Sequence, residues 1–386
     1  VPMVHLVTLG AGGGSIASFD RMYNAVAVGP KSAGSDPGPA CYDRGGMSPT
    51  VTDADLVLGY LDPTNYAGGH IPLNPKRSVF AIEETLCDDL DVSPIEAALL
   101  IKEKVDSNMA NGLHTELRVR GYDPEEFTML AYGGNGPLHC CGIASNLSID
   151  KILAPPMSSV FSAVGAGNMH QMHIHEMSLF MVLYDSNTRK VFDDYTRFND
   201  IVAELSARGQ NDLLRQGMNL EDIRYLLELD MRYGNQLVQT TVVVPKHTLE
   251  SAMDVMNILQ QFSEDYGKRF GEGSQAPEAG IRINTVRVAS FVEHETVHFK
   301  HIKPIPESER IAPPEPIAKR TCYFVSTGAK AIETPVWRKA DIPSGTEIVG
   351  PGIVASEVTT YLIEPGWKYV SAEQGAVWFF RTDAQN

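Results

Sequence analysis

Phe127-Thr128-Met129-Leu130-Ala131-Tyr132, then Gly133-Gly134-Asn135-Gly136, then Pro137 to Asn146, then Lys151-Ile152-Leu153-Ala154 is the stretch on which the fold turns. The first run is largely apolar and free of Gly and Pro, which predicts a buried strand. The glycines predict a tight turn, Pro137 to Asn146 a helix, and Lys151 to Ala154 the next strand. Strand, glycine-rich turn, helix and strand in that order make a βαβ unit with a parallel pair, and so an α/β architecture.

Upstream, Ser93-Pro94-Ile95-Glu96 supplies an N-cap serine, a proline at the first helical position and a glutamate at the third. It predicts a long amphipathic helix to about Arg120, stopped by Gly121-Tyr122-Asp123-Pro124. Thr52-Asp53-Ala54-Asp55 reads as a shorter helix start. The stretch 29–39 is too rich in Gly and Pro for a helix or central strand and predicts a loop. The runs His5–Leu9, Ile16–Phe19 and Met22–Val28, set around Gly10–Ser15, predict adjacent antiparallel strands. Downstream, from about 171, the texture becomes strands with two long helices near Val191–Gly217 and Leu249–Phe270. A proline-rich linker, Pro304 to Pro316, precedes a β-rich tail with turns at 343–345, 350–352 and 364–366. Three regions follow: 1–170, an α+β domain at 171–303, and the linker with its β-rich segment at 304–386. A chain of 386 residues exceeds what one core usually serves.

A net charge of −16 without any Lys/Arg-rich run excludes nucleic acid as a partner. The cysteines, Cys41, Cys87, Cys140, Cys141 and Cys322, are odd in number and form no C-x-x-C pair. That argues against a disulfide framework or zinc ribbon and fits a reducing cytoplasm. No apolar run approaches the ~20 residues of a membrane span, so no membrane partner is expected. The chain opens inside a strand-like run without an initiator Met, as a fragment or a split gene product would.

Glycines between a strand and a helix let backbone approach a flat or charged ligand where a Cβ would collide, and the helix N-terminus adds free N–H groups. The alternative is a turn that is glycine-rich for geometric reasons alone. His139, in the first helical turn, is expected to be held neutral by the helix dipole and able to accept a proton; otherwise it packs at the helix end. His170, His173 and His175 put two imidazoles on one face of a strand with a third nearby, a spacing that suits zinc. Surface or interface histidines are the other reading.

Several motifs in order carry a family resemblance: Gly10-Ala11-Gly12-Gly13-Gly14-Ser15-Ile16-Ala17, Val28-Gly29-Pro30-Lys31-Ser32-Ala33-Gly34, Pro37-Gly38-Pro39-Ala40-Cys41-Tyr42 and Pro49-Thr50-Val51-Thr52-Asp53-Ala54. Gly121–Pro124, Gly133–His139 and Arg232-Tyr233-Gly234-Asn235-Gln236 continue it over nearly the whole chain. Together these resemble the C-terminal half of the hydantoinase A/oxoprolinase family. The resemblance implies the second lobe of an actin- and sugar-kinase-like, ribonuclease-H-like ATPase fold, with ATP and Mg2+ or Mn2+ as cofactors. It implies adenosine-side contacts at Gly133, Gly134, Asn135 and Gly136. Gly13 and Gly14 would line the cleft, unless they form a closely packed hairpin turn. Asp53 would be a base or metal-associated carboxylate, unless it is a helix cap. The histidines at 170–175 depart from the family pattern.

The family's phosphate-binding hairpins, Asp-x-Gly-Gly-Thr, occur nowhere in this chain. The resemblance therefore implies a partner chain carrying the N-terminal phosphate half, and a hydantoinase B-like subunit. Its substrates would be a small ketone or a cyclic amide. Val57–Tyr66 and Gly350–Thr360 resemble the ATP-handling subunit of acetone carboxylase, whereas Cys41-Tyr42-Asp43-Arg44-Gly45-Gly46 resembles the hydantoinase and oxoprolinase branch. A mixture of the two, in a chain without the phosphate hairpins, suggests an acetophenone carboxylase or a related ketone carboxylase, with cyclic-amide cleavage or a non-catalytic scaffold as alternatives.

Overall fold

A computed structural model describes residues 6–293, 299 and 302–382. They fall into two compact units, one within 166–297 and the other within 5–165 and 298–386. Each unit has its own apolar core.

The larger unit opens with an antiparallel ribbon, β1 (Ser15–Asp20) and β2 (Ala25–Ser32). Of the strand expected at His5–Leu9, His5 lies outside the described residues and Leu6–Leu9 are coil. Leu9 instead seats over Gly112, where a Cβ would collide with it. β2 extends through Gly29 and Pro30, which the sequence assigns to a loop. A two-stranded ribbon has an outer edge that needs no donor, so proline is tolerated there.

Next come α1 (Val51–Val57), α2 (Pro75–Ile82), α3 (Asp88–Leu90) and α4 (Pro94–Val119). The cap of α1 is Thr50, two residues before the expected start, and Thr50 and Asp53 form a reciprocal capping box. Ser93 and Glu96 do the same for α4. The buried face of α4 holds Ala97, Ala98, Ile101, Val105 and Ala110, interrupted by two charged residues, Lys102 and Asp106. β3 (Met129–Leu130), α5 (Gly136–Asn146) and β4 (Lys151–Ala154) form the βαβ unit, and its strands are parallel. β3 is shorter than predicted because only Met129 and Leu130 meet partners on β4. A short helix, α6 (Phe161–Gly167), follows.

The smaller unit is one antiparallel sheet with two helices. Its elements are β5 (Gln171–Asp185), β6 (Lys190–Val191), α7 (Tyr195–Arg215), β7 (Ile223–Tyr233), β8 (Thr240–Val244), α8 (Ala252–Phe270) and β9 (Ile281–Val292). The strand order is β6-β5-β9-β7-β8. Phe198 and Leu205 of α7 and Phe262 of α8 share a core with Leu227, Leu229 and Val286 of the sheet.

The remaining strands are β10 (Ala318–Phe324), β11 (Gly328–Arg338), β12 (Glu347–Val349), β13 (Gly352–Ala355), β14 (Thr360–Ile363), β15 (Trp367–Ser371) and β16 (Val377–Arg381). They do not stand apart as a third body. β16 pairs antiparallel with β4, giving a five-stranded sheet in the order β12-β15-β16-β4-β3, while β10-β11-β13-β14 form a second sheet. The proline-rich 304–316 stretch is thus a connection into the first body. β4 is thus paired on both edges, with β3 on one and β16 on the other, and Val377 and Phe379 of β16 bury with Ile152 and Ala154 of β4 in one core. Among the described residues no helix is long and apolar enough to cross a membrane.

Candidate functional site

The glycine turn between β3 and α5 is held from two sides: Gly133 N–H donates to Ser158 O at 2.7 Å, and Thr359 Oγ1 donates to Gly134 O at 2.7 Å. Gly133 has φ +88°, a conformation that favours glycine. A Cβ on Gly133 would meet nothing within 4 Å, and one on Gly134 only Val358 O at 4.0 Å. Protein atoms therefore do not fill the space over this turn. That space is a cleft of about 260 Å³, walled by Gly134, Asn135 and Leu138 on one side and by Leu61, Tyr42 and Tyr66 on another. The two tyrosine rings lie 6.0 Å apart, and their hydroxyls are 3.3 Å apart. Flat aromatic and apolar surfaces with a few amide and hydroxyl groups suit a heteroaromatic ring.

The same cleft suits phosphate badly. Its charged lining residues are Asp62 and Glu357, with no Lys or Arg. The first turn of α5 is also poor in free donors: Pro137 has no N–H, and the N–H groups of Leu138 and His139 go to Asn135 O at 3.0 and 3.3 Å. The free N–H groups expected at this helix start are thus mostly spent.

Gly13 and Gly14 divide. Gly13 O accepts from Thr52 N and Thr52 Oγ1, both at 2.9 Å, and a Cβ on Gly13 would strike the Asn135 side chain. The tract therefore reaches the cleft through Asn135. Gly14 packs on Ser32 and Gly34 instead.

The Asp53 carboxylate is fully buried and accepts five hydrogen bonds: from the N–H groups of Ala40, Cys41 and Thr50, and from the hydroxyls of Thr50 and Ser78. With its lone pairs so occupied it fixes the loop before α1, and nothing in this geometry offers it to a substrate proton. Burial, followed by the nearby Asp53 charge, pushes the Cys41 thiol well above its ordinary range.

His139 corrects its own expectation. It is buried, with Nδ1 2.7 Å from Asp106 Oδ1 and Nε2 3.3 Å from Asp55 Oδ2. Burial pulls its pKa down, but Asp55 and Asp106 more than offset that and raise it to about 9. The ring is an imidazolium at neutral pH and has no lone pair for a proton. Two carboxylates at contact distance outweigh a helix dipole whose effect is a fraction of one charge. The 3.3 Å contact is an ion pair whose alignment makes no hydrogen bond, and both Asp55 oxygens are buried without a donor. Lys102, also buried, pairs with Asp106 and reaches Glu364 Oε1 at 3.1 Å. Lys102, Asp106, Asp55 and Glu364 were not singled out in the sequence. The visible signal was Lys102 and Asp106, four residues apart in the apolar stripe of α4.

His170, His173 and His175 are not assembled as ligands, and among the described residues no group of three or more His, Cys, Asp or Glu is arranged to hold a metal ion. His175 Nε2 is engaged by Asp212 Oδ2 at 2.9 Å, and the His170 ring stacks on Phe291. β5 stays extended along its ladder with β9, which spaces the imidazoles rather than converging them.

Residues 1–175 match the model of the hydantoinase/oxoprolinase family, and residues 185–374 match that of the hydantoinase/oxoprolinase C-terminal domain. The chain is 38% identical to the acetophenone carboxylase gamma subunit of Aromatoleum aromaticum, over 95% of this chain and 49% of that one. It resembles the crystal structure of the ATP-dependent caprolactamase from Pseudomonas jessenii with a TM-score of 0.81 and 28% identity, over 99% of this chain and 54% of that one. A nucleotide-free acetone carboxylase shares the fold, with a TM-score of 0.72 at 24% identity over 96% and 52%. The chain spans about half the length of the curated relatives it matches.

Proposed function

Because the chain belongs to the hydantoinase/oxoprolinase family, we propose that it is the nucleoside-binding half of a subunit that uses ATP to activate a carbonyl substrate in a ketone carboxylase. The observation that carries this reading is the cleft over Gly134 and Asn135: open to a flat ring, walled by Tyr42 and Tyr66, and lined by no Lys or Arg. In the actin-like arrangement implied by the resemblance, adenosine lies against this turn. ATP supplies the phosphoryl group that makes a poor carbonyl electrophile or an enol oxygen reactive. The chain's own part is to hold the nucleoside and exclude water from that end.

The triphosphate needs positive charge that this cleft lacks, so the phosphate-binding half, and Mg2+ or Mn2+ with it, lies outside residues 1–386. A hydantoinase B-like subunit then carries out carboxylation or ring opening. The 38% identity to an acetophenone carboxylase subunit favours a ketone as substrate. Cleavage of a cyclic amide is the second reading, favoured by the better superposition on the caprolactamase.

The test is Gly134→Val in the assembled enzyme. A Cβ there meets only Val358 O at 4.0 Å, so the fold should be kept while the side chain enters the cleft. The expected result is a raised KM for ATP, and so a fall in turnover at sub-saturating ATP, with unchanged thermal stability; a parental KM and rate would sink the assignment. Measuring ATP hydrolysis stimulated by acetophenone with bicarbonate, against stimulation by a lactam or 5-oxoproline, separates the two substrate classes.

A further inference from the structure

Three walls of the cleft begin at elements that meet around His139. α1, which carries Asp55, runs on into Leu61 and Tyr66. α5, which carries His139, starts at the Gly134–Asn135 turn and contributes Leu138. β14 starts at Thr360 in the cleft and is followed directly by Glu364, which pairs with Lys102. α4 supplies Lys102 and Asp106 at the centre, and its packing against α1 and α5 is extensive.

We propose that His139 is a positioning residue: a buried cation clamped between Asp55 and Asp106 that fixes the walls of the cleft at the separation the nucleoside requires. The inference rests on the reading of the cleft as a nucleoside site. Asp55 is what makes the clamp consequential. It is 0% exposed, neither oxygen receives a hydrogen bond, and among the described residues the cation in contact with it is the His139 ring. If the ring loses its proton, Asp55 is left as a bare buried carboxylate, facing Asp106 across a neutral imidazole. α1 and α5 are then no longer drawn together, and the walls they carry move apart.

Burial lowers the pKa of His139 and the two carboxylates raise it, to about 9, so the clamp is closed at neutral pH and opens on the alkaline side. The ionisable groups that surround it are Asp55 and Tyr60 from α1 and the segment after it, Lys102 and Asp106 from α4, Glu364 after β14, and Cys141 on α5 itself. Burial pushes Tyr60 and Cys141 upward, and although burial opposes it, the Asp106 and Glu364 charges hold Lys102 well above the ordinary ammonium range. None of these three changes charge in the window where His139 does.

The experiment is steady-state kinetics of the assembled enzyme from pH 7 to 9.5, for the parent, His139→Gln and Gly134→Val. For the parent, the KM for ATP should rise about tenfold as pH passes 9, while kcat at saturating ATP stays within about threefold, as expected when ground-state and transition-state binding fall together. His139→Gln should show the raised KM already at pH 7.5 and lose its pH dependence, with the KM for the carbonyl substrate unchanged. A parental KM for ATP in that variant, or a flat ATP KM in the parent to pH 9.5, overturns the clamp. The parent's pH profile decides the matter even if the variant does not fold. If Gly134→Val leaves the ATP KM unchanged, the nucleoside reading itself falls, and the clamp falls with it; a raised KM in Gly134→Val beside a parental one in His139→Gln rejects the clamp alone.

Discussion

At His139, burial strips the ring of water and favours its neutral form, and the two adjacent carboxylates favour the charged one; the carboxylates win. The sign of the resulting stability follows. The folded pKa, about 9, lies above the ordinary imidazole value, so the contribution is fully present below pH ~6.5 and is lost as pH rises through 9. Asp106, held low by Lys102 and His139 despite burial, contributes above its unfolded pKa and loses that only in acid. Urea unfolding of the full chain at pH 6.5, 8 and 9.5 should therefore show a falling midpoint, and the His139→Gln variant a flatter one. His139→Ala should cost about 3–5 kcal/mol at pH 7, the usual consequence of leaving a buried charge unpaired. A midpoint that holds constant to pH 9.5 would mean the ring is neutral throughout. None of this was legible from the residue alone. A histidine near a helix start reads as dipole-lowered until the two carboxylates, distant in sequence, are brought to it.

Helix α5 was legible in type and extent, because the glycine turn, Pro137 and the return to an apolar strand at Lys151–Ala154 all mark its bounds. What its sequence does not announce is why Gly142 sits in its interior. A glycine there should be worth replacing, since alanine is better in a helix by about 1 kcal/mol. Here a Cβ would overlap the Asp106 carboxylate, with Asp106 Cγ at 2.9 Å and Lys102 Nζ at 3.3 Å. Asp106 cannot step aside, being short, buried and held by both Lys102 and His139. Gly142→Ala should thus lower the thermal midpoint despite the gain in propensity. Gly165 in α6 is the control: exposed, with nothing within 4 Å of a Cβ, so Gly165→Ala should be neutral or slightly stabilising. Differential scanning fluorimetry of the two variants makes the comparison, and equal shifts would show that the cluster yields easily. On α4 the capping box was plain in Ser93-Pro94-Ile95-Glu96, whereas the charged pair inside its apolar stripe could be seen but not interpreted without knowing what faced it.

Across the whole molecule, the α/β start and the α+β middle were readable from periodicity, while the placement of the last strands was not. Strand patterns say that a segment is extended and half-buried, and they do not say which edge it joins. β16 joins β4, more than two hundred residues earlier in the chain, and so lies between β15 and β4 in the sheet. Removing 304–386 would take β12, β15 and β16 from that sheet and leave β4 with the two-residue β3, too little to stand without further partners. It would also strip Trp367, Tyr369 and Phe379 from the core that holds Cys140, Ala144 and Ile152. Each such side chain stabilises by about 1.5–3 kcal/mol when buried, and losing several exhausts the roughly 5–15 kcal/mol that separates a typical domain from its unfolded state. The unit within 166–297 loses no strand, and its core of Phe198, Leu227, Phe262 and Val286 draws on no residue after 304. A chain ending at residue 303 should therefore yield, on limited proteolysis with mass spectrometry, a resistant fragment from 166–293 and rapid digestion of 6–165, while the full chain protects both. If 304–386 were a separate domain, 6–165 would survive the truncation intact, and a resistant fragment from that region would show that β16 is dispensable to the sheet.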